Sequence, residues 1–392
     1  MNALLKTYGR KDISFSKGEG VWIWDQKGDQ YLDALSGIAV CGLGHAHADI
    51  AETISSQAKT LIHTSNIYRI PAQEILGERL CSLTGMEGAF FCNSGAEANE
   101  AAIKLARLHG HVKGIEAPST IVFENSFHGR TMATLTATGN RKAHAGFEPL
   151  VSGFIRAPYN DIETVKQICE NNSNIAAIFV EPVQGEGGIN IPHTNFLSEL
   201  RKLCDQYELL LILDEVQTGN GRTGKWFAFQ HTDIAPDVIT TAKGLGNGVP
   251  IGVCLAKNSA ATLFAPGSHG STFGGNPLAC HVALKVLDII EKDKLLDNAK
   301  NMGHHMLKEF KNKLDKNPLI KDIRGHGLMI GIELIKPCAE IVDIALEKKL
   351  LVNVTASSVI RLLPPLITDQ EQADKIVNLV CDSIDHFGTT QI

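Results

Sequence analysis

The 392-residue chain has nothing approaching the run of roughly 18 apolar residues that a membrane helix needs, so no membrane span is expected. Its start, Met1-Asn2-Ala3-Leu4-Leu5-Lys6, lacks the basic segment and apolar core of a secretory signal. It has no CxxC pair. The nine cysteines are scattered, at 41, 81, 92, 169, 204, 254, 280, 338 and 381. Several lie in apolar runs, as Cys254 does in Ile251-Gly252-Val253-Cys254-Leu255-Ala256. They read as reduced core residues of a cytoplasmic protein. There is no basic stripe and the net charge is −6, which argues against nucleic acid as a partner. Repeats and low-complexity linkers are absent too. What remains is 44% hydrophobic and 20% charged, a composition for a sizeable core. The length suits one large domain and a smaller one.

Continuous apolar runs alternate with helical patterns. The runs at 89–92, 120–123, 175–180, 209–213, 238–240 and 252–256 predict strands of a parallel sheet covered on both faces. After Ser94, positions 98, 101, 102, 105 and 106 share one helix face, with Asn99, Glu100, Lys104 and Arg107 opposite. A further helix is expected to start at Asn276-Pro277. The Lys-rich stretch 291–317 reads as solvated helix leading into a second module. Strands are expected there at 328–334 and 359–363. The hairpin predicted around Trp22-Ile23-Trp24-Asp25 and the Lys27-Gly28-Asp29 turn is expected to pack with that module. The fold class is therefore α/β, with a large domain over 51–275 and a small one from 1–50 and 276–392.

Ligands of open parallel sheets bind beyond the carboxyl ends of the strands, and four chemical signals lie at such ends. Asn93-Ser94-Gly95-Ala96-Glu97 opens a helix with free N–H groups, a place for a phosphate; Ser94 and Glu97 also have capping-box spacing. Asp214-Glu215-Val216-Gln217 follows a buried strand. There Asp214 suits a ring cation, or a plain helix cap. In Phe127-His128-Gly129-Arg130 the phenyl can stack on a ring and the guanidinium can fork onto a carboxylate. A core aromatic and a surface arginine explain the same residues. Lys243 lies in Thr241-Ala242-Lys243-Gly244-Leu245-Gly246, between a β-prone run and glycines. A desolvated lysine there suits Schiff-base chemistry; a solvated lysine in a glycine-rich turn is the bland alternative. A strand, a helix and a second strand fit between Asp214 and Lys243, so both can reach one rim.

Gly219-Asn220-Gly221-Arg222-Thr223-Gly224 matches GxGxxG, with Asp237 near the distance of a ribose acid. This supports an alternative reading as a nucleotide-binding protein. Yet Asp214–Thr218 separates the glycines from the strand, and Trp226 stands where a phosphate-binding loop needs serine or threonine. His45 and His47 have no acid or cysteine nearby to complete a metal site, so no metal is expected.

Taken together, the chain resembles the class III aminotransferases of fold-type I, which depend on pyridoxal 5'-phosphate. The resemblance runs from about Phe15 to Leu366. It rests on 33–40, 93–99, 127–131, 180–188, 213–219, 270–277, 351–355 and 360–365, and is nearest to the acetylornithine branch. It implies a mainly parallel seven-stranded sheet in the large domain. It also implies that Lys243 carries the cofactor as a Schiff base and moves the proton. Asp214 would pair with the pyridine nitrogen, and Gln217 would lie on the hydroxyl side, with Glu215 and Val216 beside it. Phe127 would stack on the ring, and Ser94, Gly95 and Ala96 would hold the phosphate. Thr272 would reach the phosphate of a partner subunit, making a homodimer. Arg130 and Ser271 would bind the α-carboxylate of N-acetylornithine, and Arg361 that of 2-oxoglutarate or glutamate. From the residues themselves, a charged Glu186 in a Gly-rich segment that can move (Gly185, Gly187, Gly188) is expected to pair with Arg361 in the first half-reaction and swing away in the second.

The implied role is transamination in arginine biosynthesis. Ornithine, succinylornithine, N-succinyl-diaminopimelate and 4-aminobutyrate are alternative amine donors within the class. The chain departs from the family at Cys41 (usually asparagine), Ala48 (usually proline) and Asn220 (usually apolar). Cys41 bears on substrate preference; none of the three touches the cofactor set.

Overall fold

A computed structural model describes residues 3–389; Met1 and Asn2 of the chain start lie outside them. Its centre is a seven-stranded sheet. In spatial order the strands are Gly88–Cys92, Gly252–Ala256, Val238–Thr241, Leu210–Asp214, Ile175–Val180, Ser119–Phe123 and Phe154–Ala157. Gly252–Ala256 is antiparallel to both neighbours and every other pairing is parallel. Ile175–Val180 and Leu210–Asp214 are buried along their whole length. Such strands need apolar side chains on both faces, which is why they appear as unbroken runs.

The expected α/β class stands, with local differences. Phe154–Ala157 escapes the apolar-run criterion because it is a half-buried edge strand that carries Arg156. The helix expected between Asp214 and Lys243 is only a 3-10 turn, Ala228–His231. Even so, Asp214 and Thr240 are register partners on adjacent parallel strands. The two strands therefore bring Asp214 and Lys243 to the same end of the sheet.

The helix Gly95–Val112 is capped by Ser94, whose side chain accepts from the Glu97 N–H at 3.2 Å. The helix Pro277–Lys292 is capped by Asn276, which accepts from Ala279 N–H at 2.9 Å. The Lys-rich helix Leu295–Leu314 is solvated on one face only. Its other face buries Leu295, Ala299, Met306, Phe310 and Leu314 at helical spacing.

Near the N-terminus, Phe15–Glu19, Trp22–Asp25 and Gln30–Asp33 form an antiparallel meander. Its tight turn is set by Asp25, whose Oδ1 accepts from Lys27 N–H at 2.8 Å and Asp29 N–H at 2.9 Å. Leu350–Leu351 adds in parallel beside Gln30–Asp33. A third sheet orders Ile320–His326, Met329–Leu334, Val359–Leu362 and Asn353–Thr355. One core joins the two ends of the chain: Val21, Leu32 and Leu43 pack with Phe310, Leu334, Ile360 and Phe387. Each such side chain contributes about 2 kcal/mol by burial.

Candidate active site

At the carboxyl ends of the large sheet lies a cavity of about 390 Å³. Ser94, Gly95 and Ala96 form one wall at the start of the Gly95–Val112 helix, where N–H groups are free and the dipole is positive. Gly95 has no room for a side chain: a Cβ there would stand 2.6 Å from Val216 Cγ1. Phe127, Arg130, Asp214, Val216, Gln217 and Lys243 line other parts of it. The Arg130 guanidinium lies 5.5 Å from the centre of the Phe127 ring.

Lys243 follows Val238–Thr241 at a φ of +45°, in the left-handed region. A non-glycine residue there costs about 1–2 kcal/mol, which the surrounding packing must offset. The lysine is half-buried. Burial lowers its pKa from the ordinary value, opposed by the Glu186 charge and reinforced by that of Arg361. Such an amine gives up its proton more easily than a solvated one.

Asp214 is buried and held by three groups. Asn99 Nδ2 donates to Oδ2 at 2.8 Å, His128 Nδ1 meets the same oxygen at 2.8 Å, and Val216 N–H donates to Oδ1 at 3.0 Å. The carboxylate requires the His128 tautomer with its hydrogen on Nδ1. His128 is itself stacked on Phe179, with centroids 4.1 Å apart.

Arg361 is fully buried on the Val359–Leu362 strand. Its Nη1 pairs with Glu186 Oε1 at 2.5 Å and donates to Gln217 Oε1 at 3.3 Å, while Nε donates to Asn353 Oδ1 at 3.1 Å. Nη2 is buried without a protein partner. Burial pushes the Glu186 carboxyl up, but the Arg361 charge and hydrogen bond outweigh it and hold it below the ordinary carboxylate range. The glycines around Glu186 serve close packing. A Cβ on Gly185 would stand 2.2 Å from Gln217 Oε1, and one on Gly187 2.6 Å from the Asn125 carbonyl oxygen. Thr355 Oγ1 also donates to the Glu186 carbonyl. Freedom in this segment therefore belongs to the Glu186 side chain, not to its backbone.

The remaining predicted residues lie elsewhere. Ser271 sits at the rim, where its Oγ accepts from Asn93 Nδ2 at 3.3 Å and Gly274 N–H at 2.9 Å. Thr272 is exposed on the outer surface and does not line the cavity. Glu215 points its carboxylate away from the cavity, accepting from Ala228 N–H at 2.9 Å and Phe229 N–H at 2.8 Å and from Thr218 Oγ1. Burial pushes its pKa up to about 7.

The GxGxxG segment forms no cradle. A Cβ on Gly221 would meet Leu296 and Leu366 at 3.1 Å, and one on Gly224 would meet Lys300 Cβ at 2.9 Å. Arg222 donates from this loop to the Leu328 carbonyl at 3.1 Å and to that of Pro364. The glycines let the loop pack against the Leu295–Leu314 helix, so a nucleotide reading loses its support. Asp237, the suggested ribose acid, instead accepts from Leu211 N–H at 2.8 Å and Arg201 Nη1 at 2.7 Å. His45 directs Nε2 to Asp33 at 2.8 Å. Among the described residues no cluster of metal-ligating side chains occurs.

Two residues around Asp214 were not singled out by the pattern. Helical periodicity puts Asn99 on the polar, outward face, yet it is 1% exposed. Its polarity among buried alanines was the available signal. His128 stands between Phe127 and Arg130 and drew no role of its own. Glu181 also lines the cavity. It accepts from Phe127 N–H at 2.8 Å and Gly185 N–H at 3.2 Å, and burial, with the Asp214 charge second, pushes its pKa up.

The class III aminotransferase family matches residues 6–384. The chain is 58% identical over 392 residues to the acetylornithine aminotransferase of Nitrosomonas europaea, covering all of both chains. It is 51% identical to acetylornithine aminotransferase 1 of Bordetella parapertussis, over all of this chain and 99% of that one. Among solved structures, acetylornithine aminotransferase from Elizabethkingia anophelis superposes with a TM-score of 0.88 at 38% identity, over 97% of this chain and 96% of that one. The ornithine aminotransferase of Toxoplasma gondii ME49 gives 0.94 at 32% identity, over 99% and 93%. The chain belongs to the class III aminotransferases, enzymes that use pyridoxal phosphate.

Proposed function

We propose that this enzyme transfers the terminal amine of N2-acetyl-L-ornithine to 2-oxoglutarate, giving N-acetyl-L-glutamate 5-semialdehyde and L-glutamate in arginine biosynthesis. One observation carries the reading. A half-buried lysine and a buried aspartate share a cavity with Arg130, while a second arginine beside it, Arg361, is covered by a carboxylate. Two arginines suit two substrates that each bring a carboxylate. The curated relatives named above support the choice of acetylornithine.

The residues present fit pyridoxal phosphate. The free N–H groups at Gly95 and Ala96 with the Ser94 hydroxyl suit its phosphate, Phe127 and Val216 its ring faces, and Asp214 its ring nitrogen. When bound, the cofactor supplies an electron sink for charge that develops on the substrate. Lys243 Nζ would hold it covalently, and in the reaction takes the proton from the carbon bearing the substrate amine. Asn99 and His128 keep Asp214 oriented. Gln217 links the cofactor side to Arg361. Arg130, with Ser271 at the rim, orients the carboxylate of the amine donor. Glu186 neutralises Arg361 while acetylornithine is bound, then rotates aside for the second carboxylate of 2-oxoglutarate or glutamate.

The reading includes a homodimer, with Thr272 reaching the partner's phosphate site, a cytoplasmic location and the domain division given above. An exposed apolar patch supports the dimer: Leu61, Ile62, Ile67, Tyr68 and Phe273 lie open around Asn66 and Thr272. The test is a side-by-side assay of acetylornithine, succinylornithine, ornithine, N-succinyl-diaminopimelate and 4-aminobutyrate with 2-oxoglutarate. Acetylornithine should show the highest kcat/KM. A higher value for another donor would reassign the substrate within the class.

A further inference from the structure

The segment that carries Ser271 and Thr272 is an irregular loop, and its own hydrogen bonds, such as Gly274 N–H to Ser271 Oγ at 2.9 Å, are not all that holds it. Two amide side chains on the opposite flank hold it. Asn66 Nδ2 donates to the carbonyls of Ser271 and Gly274, each at 3.0 Å. Gln73, in the first turn of the helix Pro71–Thr84, donates from Nε2 to Asn66 Oδ1 at 2.9 Å and to the Gly275 carbonyl at 3.0 Å. The glycines let the loop come this close. A Cβ on Gly275 would stand 2.0 Å from Gln73 Nε2, and one on Gly274 2.2 Å from the Phe91 carbonyl oxygen. The loop carbonyls at 271, 274 and 275 are thus all fixed by side-chain donors, while the Thr272 side chain between them is left exposed.

We propose that Asn66 and Gln73 are positioning residues: by fixing the backbone of residues 271–275 they aim Thr272 at the phosphate site of the partner subunit. This rests on the dimer reading above. Neither amide lines the chain's own cavity. The own-site contact of the loop, Asn93 to Ser271 Oγ, uses a different donor. The effect of losing them should therefore appear in trans.

Mixed dimers with one covalent site separate the two directions. In the trans dimer, one protomer carries Lys243→Ala together with Asn66→Asp and the other is native, so the only covalent site faces the altered loop. In the cis dimer, Asn66→Asp and Lys243→Ala lie on different protomers, so the covalent site faces an unaltered loop. Aspartate has the shape of asparagine but cannot donate, so mere space-filling is preserved. The readout is the dissociation constant of pyridoxal phosphate, titrated by absorbance into the apo dimer. It should rise about tenfold in the trans dimer, as Thr272→Ala does there, and stay native in the cis dimer. Should Asn66→Asp prevent assembly, Gln73→Glu removes the second amide's donors and tests the same loop. A cis effect, or no effect where Thr272→Ala has a trans effect, overturns the proposal and leaves the dimer reading standing. No trans effect of Thr272→Ala overturns that reading, and the proposal with it.

Discussion

Asp214 in the cavity and Glu186 on Arg361 beside it are held in opposite ways. Asp214 has a side chain 4% exposed and receives hydrogen bonds from Asn99, His128 and a backbone N–H. Glu186 has a side chain 33% exposed and leans on one cation, Arg361. The first arrangement has no second position to go to. The second pairs a movable side chain with a fixed, fully buried guanidinium whose Nη2 has no protein partner. A fixed charge suits a cofactor that stays; a removable cover suits substrates that alternate. Breaking a buried charge pair costs about 3–5 kcal/mol when one partner is left unpaired, so the cover must be replaced by a substrate carboxylate whenever it swings off.

The largest effect should come from the lysine between them. Lys243→Ala is expected to lower kcat by about 10⁴-fold and to abolish the mass added to this residue by borohydride reduction of the holoenzyme. A mass still fixed by borohydride on another lysine of the Lys243→Ala protein would place the covalent anchor elsewhere. Asp214→Asn comes next, with a fall in kcat of about 10²–10³-fold from loss of the charge facing the ring. Unchanged kcat there would remove the fixed half of the contrast.

Glu186→Gln tests the movable half and should act unequally. Single-turnover traces should show the acetylornithine half-reaction slowed about tenfold, with the glutamate half-reaction nearly unchanged. If both half-reaction rates are native, the cover has no function. The smallest effect should come from an ion pair that serves folding alone. His45 pairs with Asp33, and that hydrogen bond, with the Cys41 contact second, pushes the imidazole pKa up to about 9. A raised pKa stabilises the fold fully below about pH 6.5 and loses that contribution as pH rises through 9. Chemical denaturation of His45→Asn should therefore show a deficit of about 2 kcal/mol at pH 6 that vanishes above pH 9, with kcat little changed.

Much of this was legible in the chain, because the signals were local. Strands buried on both faces must be apolar throughout, so four parallel members of the large sheet could be read from Ile121, Ile178, Leu211 and Val238 and their neighbours. The helix start at Ser94 and the lysine between a strand and glycines were equally local. Asn99 was misplaced because periodicity assigns polar residues outward and cannot see a carboxylate from another strand. GxGxxG raised a nucleotide alternative because glycines needed for close packing look like glycines needed for a ligand. The edge strand at Phe154 was missed because half-buried strands mix polar and apolar residues.

By itself, the sequence determined the order of strands and helices, the class of chemistry and the residue types that carry it, since these follow from periodicity, caps and motifs over short spans. Only the tertiary structure decided that Asn99 and His128 hold Asp214, that Glu186 covers Arg361 and that Glu215 turns away from the cavity. The Asp214 and Arg361 contacts join residues 86 to 175 apart in the chain, and the Glu215 contacts to Ala228 and Phe229 cross a loop of 13–14 residues, so no short-range pattern encodes them.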